Sequence, residues 1–140
     1  MEKRISSRSV IIENGKVLTM FRRKTKNGIT EEYYVIPGGG IENGETLEEN
    51  VKRELSEELN VEIEIIGYLG TIEYDTNIAN FFHCNIIKGE PKLGGEELDR
   101  MTKDNYYEVR FVDINKLDEI EFSANEKVYQ ALNREYEEIV

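Results

Sequence analysis

Cysteine is nearly missing: Cys84 is the only one in 140 residues. An internal disulfide is therefore excluded, and a structural zinc site is a poor expectation. Long apolar runs are missing as well, and no stretch approaches the length of a membrane span. The first ten residues, MEKRISSRSV, carry basic groups with no apolar run behind them, so no signal peptide is expected. A cytoplasmic location without a membrane partner is the default that follows. Positive charge is scarce: 18 Lys and Arg stand against 29 Asp and Glu, for a formal net charge of −11. Such a surface repels phosphate backbones, so a duplex nucleic-acid partner is not expected. Small phosphorylated ligands stay open, because bound divalent cations reverse the local sign of the field.

What is present suits a folded chain. Apolar residues make up 39% and charged residues 34%, and the length fits one domain spanning 1–140 with a real core. Val10-Ile11-Ile12 and Lys16 to Phe21 are strand-like runs around Asn14-Gly15, the favoured centre of a type I′ hairpin turn. Arg22 to Thr30 is polar and reads as a loop. Glu31 to Ile36 reads as a third strand, and Pro37-Gly38-Gly39-Gly40 as a stop that ends any sheet. Val61 to Leu69, with Thr71 to Tyr74 as an extension, and Ile78 to Ile87 are further strands. The second should put Phe82, Cys84 and Ile86 on one face and Phe81, His83 and Asn85 on the other. Gly89 to Lys103 reads as a long polar loop, of a length that is often functional. Tyr107 to Val112 is a last strand. Ser123 with Glu126 forms a capping box for a C-terminal helix whose stripe is Ala124, Val128, Ala131, Leu132 and Tyr136. The pattern predicts an α/β (α+β) architecture, a mixed sheet packed between helices.

Thr46 to Asn60 is the most informative segment. Thr46 and Glu49 form a capping box, Leu47, Val51, Leu55 and Leu59 make a core-facing stripe, and Asn60 suits the left-handed residue that stops a helix. Glu54, Glu57 and Glu58 then share one face beside the stripe. Like charges at this spacing repel by about 0.2–0.5 kcal/mol per pair, and anions near a helix C-terminus oppose its dipole. A hard cation would remove both penalties, since oxygen-rich sites suit magnesium. A solvated acidic face remains the bland alternative for three glutamates considered by themselves.

Their surroundings favour the cation. Gly39, five residues, Glu45, seven residues, then Arg53-Glu54-Leu55-Ser56-Glu57-Glu58-Leu59-Asn60-Val61 resembles the Nudix box, with Asn60 in place of the usual glycine. Asn is the mildest replacement at a helix stop. The Tyr34-to-Gly40 lead-in and the Asn-Gly hairpin also resemble this family.

The resemblance implies a Nudix-like sandwich and a hydrolase that cleaves a phosphoanhydride bond of a nucleoside diphosphate linked to another group. It implies Mg2+, with Mn2+ as a substitute, held by Glu54, Glu57 and Glu58 and by the Gly38 carbonyl. Arg53 would hold Glu45 or Glu57 by a bidentate contact, with Gly39 and Glu45 structural. Glu57, Arg53 and Glu54 are the catalytic candidates. Glu57 is the first choice for general base, and Glu96 or Glu97 in the long loop are the alternatives. Arg8, Arg22, Tyr34 and Glu97 are candidates for substrate contact, while His83 and Cys84 are read as structural. The partner implied is a small-molecule nucleotide, and a homodimer is consistent with the family. Asp75 to Ala79 has neither the proline of many ADP-ribose hydrolases nor the tyrosine of diadenosine-polyphosphate hydrolases. By elimination a nucleoside triphosphate becomes the nominal substrate. A non-catalytic nucleotide sensor would be expected to lose box acids, and all four are present.

Overall fold

The computed structural model describes residues 2–136. There are two four-stranded sheets, and both hydrophobic clusters draw residues from each of them. The first has the order β5 (Gly38–Gly40), β1 (Arg4–Val10), β7 (Asn77–Lys88), β6 (Glu62–Glu73). It is mixed: β1 runs parallel to β7, while the other pairs are antiparallel. The second is antiparallel, with β2 (Ile12–Glu13), β3 (Lys16–Lys26), β4 (Ile29–Val35) and β8 (Asn105–Asp113), the last paired with β3. Helix α1 (Leu47–Leu59) packs on one side. Helix α3 (Asn125–Leu132) and a 3-10 turn, Ile114–Glu119, pack on the other. The expected mixed-sheet sandwich between helices is present, built from two sheets.

Strand β7 carries the division between the cores. Phe82 and Cys84 join Val51, Leu55 and Leu59 of α1, while Phe81 joins Val128 and Ala131 of α3. The alternation expected for this strand holds, with both faces covered. Val51, Leu55 and Leu59 are fully buried, each burial contributing about 1.5–3 kcal/mol. That is ample to offset the repulsion among the glutamates on the same helix.

Helix α1 begins and ends where its residues dictate. Thr46 Oγ1 accepts the Glu49 N–H at 3.1 Å, and Glu49 Oε1 accepts the Thr46 N–H at 2.9 Å. Asn60 closes the helix at φ 57°, ψ 35°. Asn14-Gly15 makes the expected turn, with φ of 52° and 75°.

Several local expectations need correction. Arg22 to Thr30 is no loop: β3 runs to Lys26 and β4 starts at Ile29, joined by Asn27-Gly28 at φ 54° and 77°. This hairpin end has no buried face, so its strands lack the apolar alternation that marks the others. Gly38–Gly40 does not end the sheet but pairs with β1. Having no side chains allows it, since a Cβ on Gly38 would strike the Ser7 carbonyl oxygen and one on Gly39 would lie 2.5 Å from the Glu54 carboxylate. The segment Gly89 to Lys103 contains a short helix, α2 (Gly95–Arg100). Strand β1 starts six residues before the expected hairpin because its buried Ser6, Ser7 and Ser9 hide the usual apolar signal. Helix α3 has Ala124 as its N-cap without a side-chain bond. Ser123 Oγ instead meets the Tyr74 hydroxyl at 3.1 Å. Leu132 is exposed, whereas Tyr136 packs on the core.

Candidate active site

Helix α1, the β1–β5 edge and α2 enclose a polar cleft of about 520 Å3. Strand alternation sends Arg4, Ser6 and Arg8 of β1 to one face, where all three line it. Glu54 and Glu58 line it from α1, one helical turn apart, and Glu96, Glu97 and Arg100 from α2. Arg22 and Tyr107 close the far side, with the Arg22 guanidinium 3.8 Å from the Tyr107 ring centroid and its Nη2 donating to Asn105 Oδ1 at 2.7 Å. Acid and base thus meet across one space.

The box arginine organises the acids beside this cleft. Arg53 Nε donates to Glu45 Oε2 at 2.6 Å and Nη2 to Glu45 Oε1 at 3.1 Å, a bidentate pair of the expected kind. The same guanidinium reaches Glu54 Oε1 and Glu57 Oε2, each at 3.1 Å, and the Gly40 carbonyl at 3.0 Å. Asn50, fully buried on α1, donates a second bond to that carbonyl at 3.1 Å. The hydrogen bond from Arg53 holds the Glu45 carboxyl below its usual range.

Glu58 lies in the opposite environment. Burial pushes its pKa up, and hydrogen bonds and repulsion from Glu54 and Glu97 push it further. Carboxylates crowded together in a desolvated place resist ionising together. Among the described residues no group of three acids stands in a ready-made chelating geometry. The donor set nonetheless fits a hard dication: the ligands are all oxygen, and a bound cation would offset the crowding that pushes the Glu58 carboxyl up.

The structure separates the expected site residues. Glu54, Glu58 and Glu97 come together, as do Arg8 and Arg22. Glu57 does not line the cleft; its side chain is 58% exposed and held by Arg53. The Gly38 carbonyl accepts from Arg8 Nη1 at 3.5 Å. The same nitrogen makes its shorter bond, 3.1 Å, to the Ile36 carbonyl, and a carbonyl oxygen has a second lone pair. Tyr34 lies outside this cleft. Its hydroxyl accepts from Arg110 Nη1 at 2.8 Å, and its ring lines a separate apolar pocket of about 250 Å3 with Phe81, Tyr74 and Phe122. Arg8, Val35 and Asn77 line both spaces, so the two are neighbours. Arg23 pairs with Glu32 outside the cleft. His83 is buried, 2.6 Å from the Tyr136 hydroxyl through Nδ1, and burial lowers its pKa. Cys84 is a core residue.

Arg4, Arg100 and Asn77 line the cleft without having been singled out from sequence. The spacing Arg4-x-Ser6-x-Arg8 was a usable signal, because a strand would present all three together.

Comparison with known proteins agrees with this architecture. The NUDIX domain family matches residues 3–132. The chain is 30% identical over 125 residues to an ADP-ribose pyrophosphatase of Methanocaldococcus jannaschii, covering 85% of this chain and 66% of that protein. It is 36% identical over 55 residues to the nucleoside triphosphatase NudI of an Enterobacter species, covering 39% of each. The chain therefore spans less than two thirds of either relative. In fold it is similar to a MutT NUDIX hydrolase from Burkholderia pseudomallei, with a TM-score of 0.72 and 19% identity over 93% of this chain and 98% of that one. With the box on α1, the sandwich around it and a match across nearly its whole length, this chain belongs to the NUDIX domain family.

Proposed function

We propose that this protein is a magnesium-dependent hydrolase of a phosphoanhydride bond in a nucleoside diphosphate linked to another group. One observation carries the reading: the carboxylates of Glu54, Glu58 and Glu97 meet Arg4, Arg8 and Arg22 across one cleft. Opposed walls of this kind suit a ligand that is anionic itself but arrives with dications. Glu54 and Glu58 would hold the cation, with Glu57 turning in from Arg53 as a further ligand. Bound magnesium, or manganese in its place, would neutralise the diphosphate and make a water acidic enough to attack phosphorus. Arg8 and Arg4 neutralise phosphate oxygens from the opposite wall and orient the chain for in-line displacement. Glu97 is better placed than Glu57 to take the proton from the attacking water, since it reaches the cleft and contacts Glu58.

The neighbouring apolar pocket is suited to the nucleoside half. Its ring-lined wall joins the cleft at Arg8 and Asn77, where a sugar and first phosphate would lie. Of the related enzymes, one is named for ADP-ribose and one for nucleoside triphosphates. Both substrate types belong in the test. Nucleoside triphosphates, ADP-ribose and nucleoside diphosphate sugars should be incubated with magnesium and the products separated by ion exchange. Release of a nucleoside monophosphate from at least one of them is expected. A protein that binds a nucleotide yet turns over none would be a sensor domain, and the proposal would fall.

Gly39 gives a second check. A Cβ there would lie 2.5 Å from the Glu54 carboxylate. Gly39→Ala is expected to leave the thermal melt within about 2–4 °C of the parent, because the main change is a displaced carboxylate. The magnesium concentration for half-maximal rate should rise about tenfold or more. An unchanged magnesium requirement would remove Glu54 from the cation site.

A further inference from the structure

The family box carries glycine where this chain has Asn60, and the left-handed backbone accounts for only part of what Asn60 does. Its side-chain Nδ2 donates to the Lys92 carbonyl at 2.9 Å. The same segment makes two more ties to the end of α1. The Lys92 N–H donates to the Leu59 carbonyl at 3.0 Å and the Gly94 N–H to the Glu58 carbonyl at 2.7 Å. These carbonyls belong to the last turn of α1, which has no basic residue to complement its dipole. Leu93, between the two, packs on the core beneath α1. The fit is close: a Cβ on Gly94 would lie 2.8 Å from Asn60 Nδ2, and one on Gly95 would lie 2.9 Å from the Glu57 carbonyl. Helix α2 begins directly after this seam and brings Glu97 to Glu58. It has no side-chain N-cap and no buried residue of its own. Six residues are too few to hold a helix by themselves, so α2 sits where its ends are tied: at the seam with α1, and at Arg100, whose carbonyl accepts from Asn105 Nδ2 at 3.3 Å.

We infer that Asn60 is a positioning residue that, through the hydrogen bond its side-chain amide donates to the Lys92 carbonyl, helps seat α2 and sets Glu97 against the box glutamates. This rests on the role proposed for Glu97. A glycine at position 60 would stop the helix equally well and lose only the tether. An aspartate would also lose it, having no N–H to donate.

Asn60→Gly is the test, since it keeps the left-handed stop and separates tether from fold. In the metal-free protein, the amides of Lys92 and Gly94 should exchange with deuterium about three- to tenfold faster, the worth of one hydrogen bond. Manganese binding, followed by the paramagnetic signal of the free ion, should weaken by a similar factor of about three to ten. In a Glu97→Gln background the same change should have no further effect on manganese affinity. Wild-type exchange, or wild-type manganese affinity, in Asn60→Gly would overturn the inference while leaving the proposed function intact. An equal weakening in the Glu97→Gln background would also overturn it, because the effect would not pass through Glu97. Wild-type manganese affinity in Glu97→Gln would show that Glu97 does not act on the cation site and would overturn the positioning role, without touching its role as base.

Discussion

Glu58→Gln is expected to lower turnover by about three orders of magnitude while leaving the metal-free fold at least as stable as the parent. The two effects share a cause. Glu58 stands beside Glu54 and Glu97 in a partly desolvated place, and its pKa is raised by burial first and by those neighbours next. A carboxyl whose folded pKa lies above its unfolded value stabilises the fold fully only while the unfolded chain is also protonated. That stability is lost as pH rises from the ordinary carboxylate range through the raised folded value. The amide cannot ionise, so thermal melts in chelator should show the variant gaining on the parent between mildly acid and alkaline pH. A gain of about 2–4 °C corresponds to 1 kcal/mol in a chain of this size. Protonation and cation binding compete at Glu58, so metal affinity should climb with pH and proton release should be measurable by calorimetry in two buffers. Parallel melting curves for parent and variant across that range would show that Glu58 is ionised without metal.

Arg53→Ala should be the most damaging single change to the fold of the site. Its guanidinium makes a bidentate bond to Glu45, reaches Glu54 and Glu57, and donates to the Gly40 carbonyl. The side chains of Arg53 and Glu45 are 20% and 12% exposed. The loss therefore falls between an exposed pair, at about 1 kcal/mol or less, and a buried one, at about 3–5 kcal/mol. A loss of about 2 kcal/mol and a melting point lower by about 4–8 °C are expected. The sign with pH is opposite to that of Glu58. The lowered pKa of Glu45 supplies stability above the ordinary carboxylate range, lost on acidification. The gap between parent and variant should close in acid. Turnover should fall about 100-fold or more, because Glu54 and Glu57 lose the group that spreads them. Arg53→Lys should rescue little, since a point charge cannot reproduce the fork. Full activity in Arg53→Lys would show that charge alone is required.

These outcomes depend on features that sequence reveals unequally. Helix α1 was legible to the residue because its signals are local: a capping box, a four-residue apolar repeat and an asparagine stop. The Asn14-Gly15 turn was legible for the same reason. Strand β1 was not, because three buried serines replace the apolar alternation of an interior strand. The glycine strand β5 reads as a break, since its pairing depends on what it lacks and on partners far away in sequence. Helix α2 has no cap and no buried residue, so nothing local marks it.

The site divides along the same line. Helical spacing groups Glu54, Glu57 and Glu58 but cannot say that Arg53 takes Glu57 while Glu58 meets Glu97. That sorting comes from α2 folding back on the end of α1. Arg4 and Arg8 likewise become a cationic wall only once β1 is known to be a strand.

The measurement closest to the central claim is turnover in labelled water, with magnesium and then with chelator, using the best substrate from the nucleotide panel. Magnesium-dependent release of a nucleoside monophosphate, with one oxygen from water on a product phosphate and with loss of turnover in Glu58→Gln, is the result predicted. Undiminished turnover in chelator, or full activity in Glu58→Gln, would contradict it.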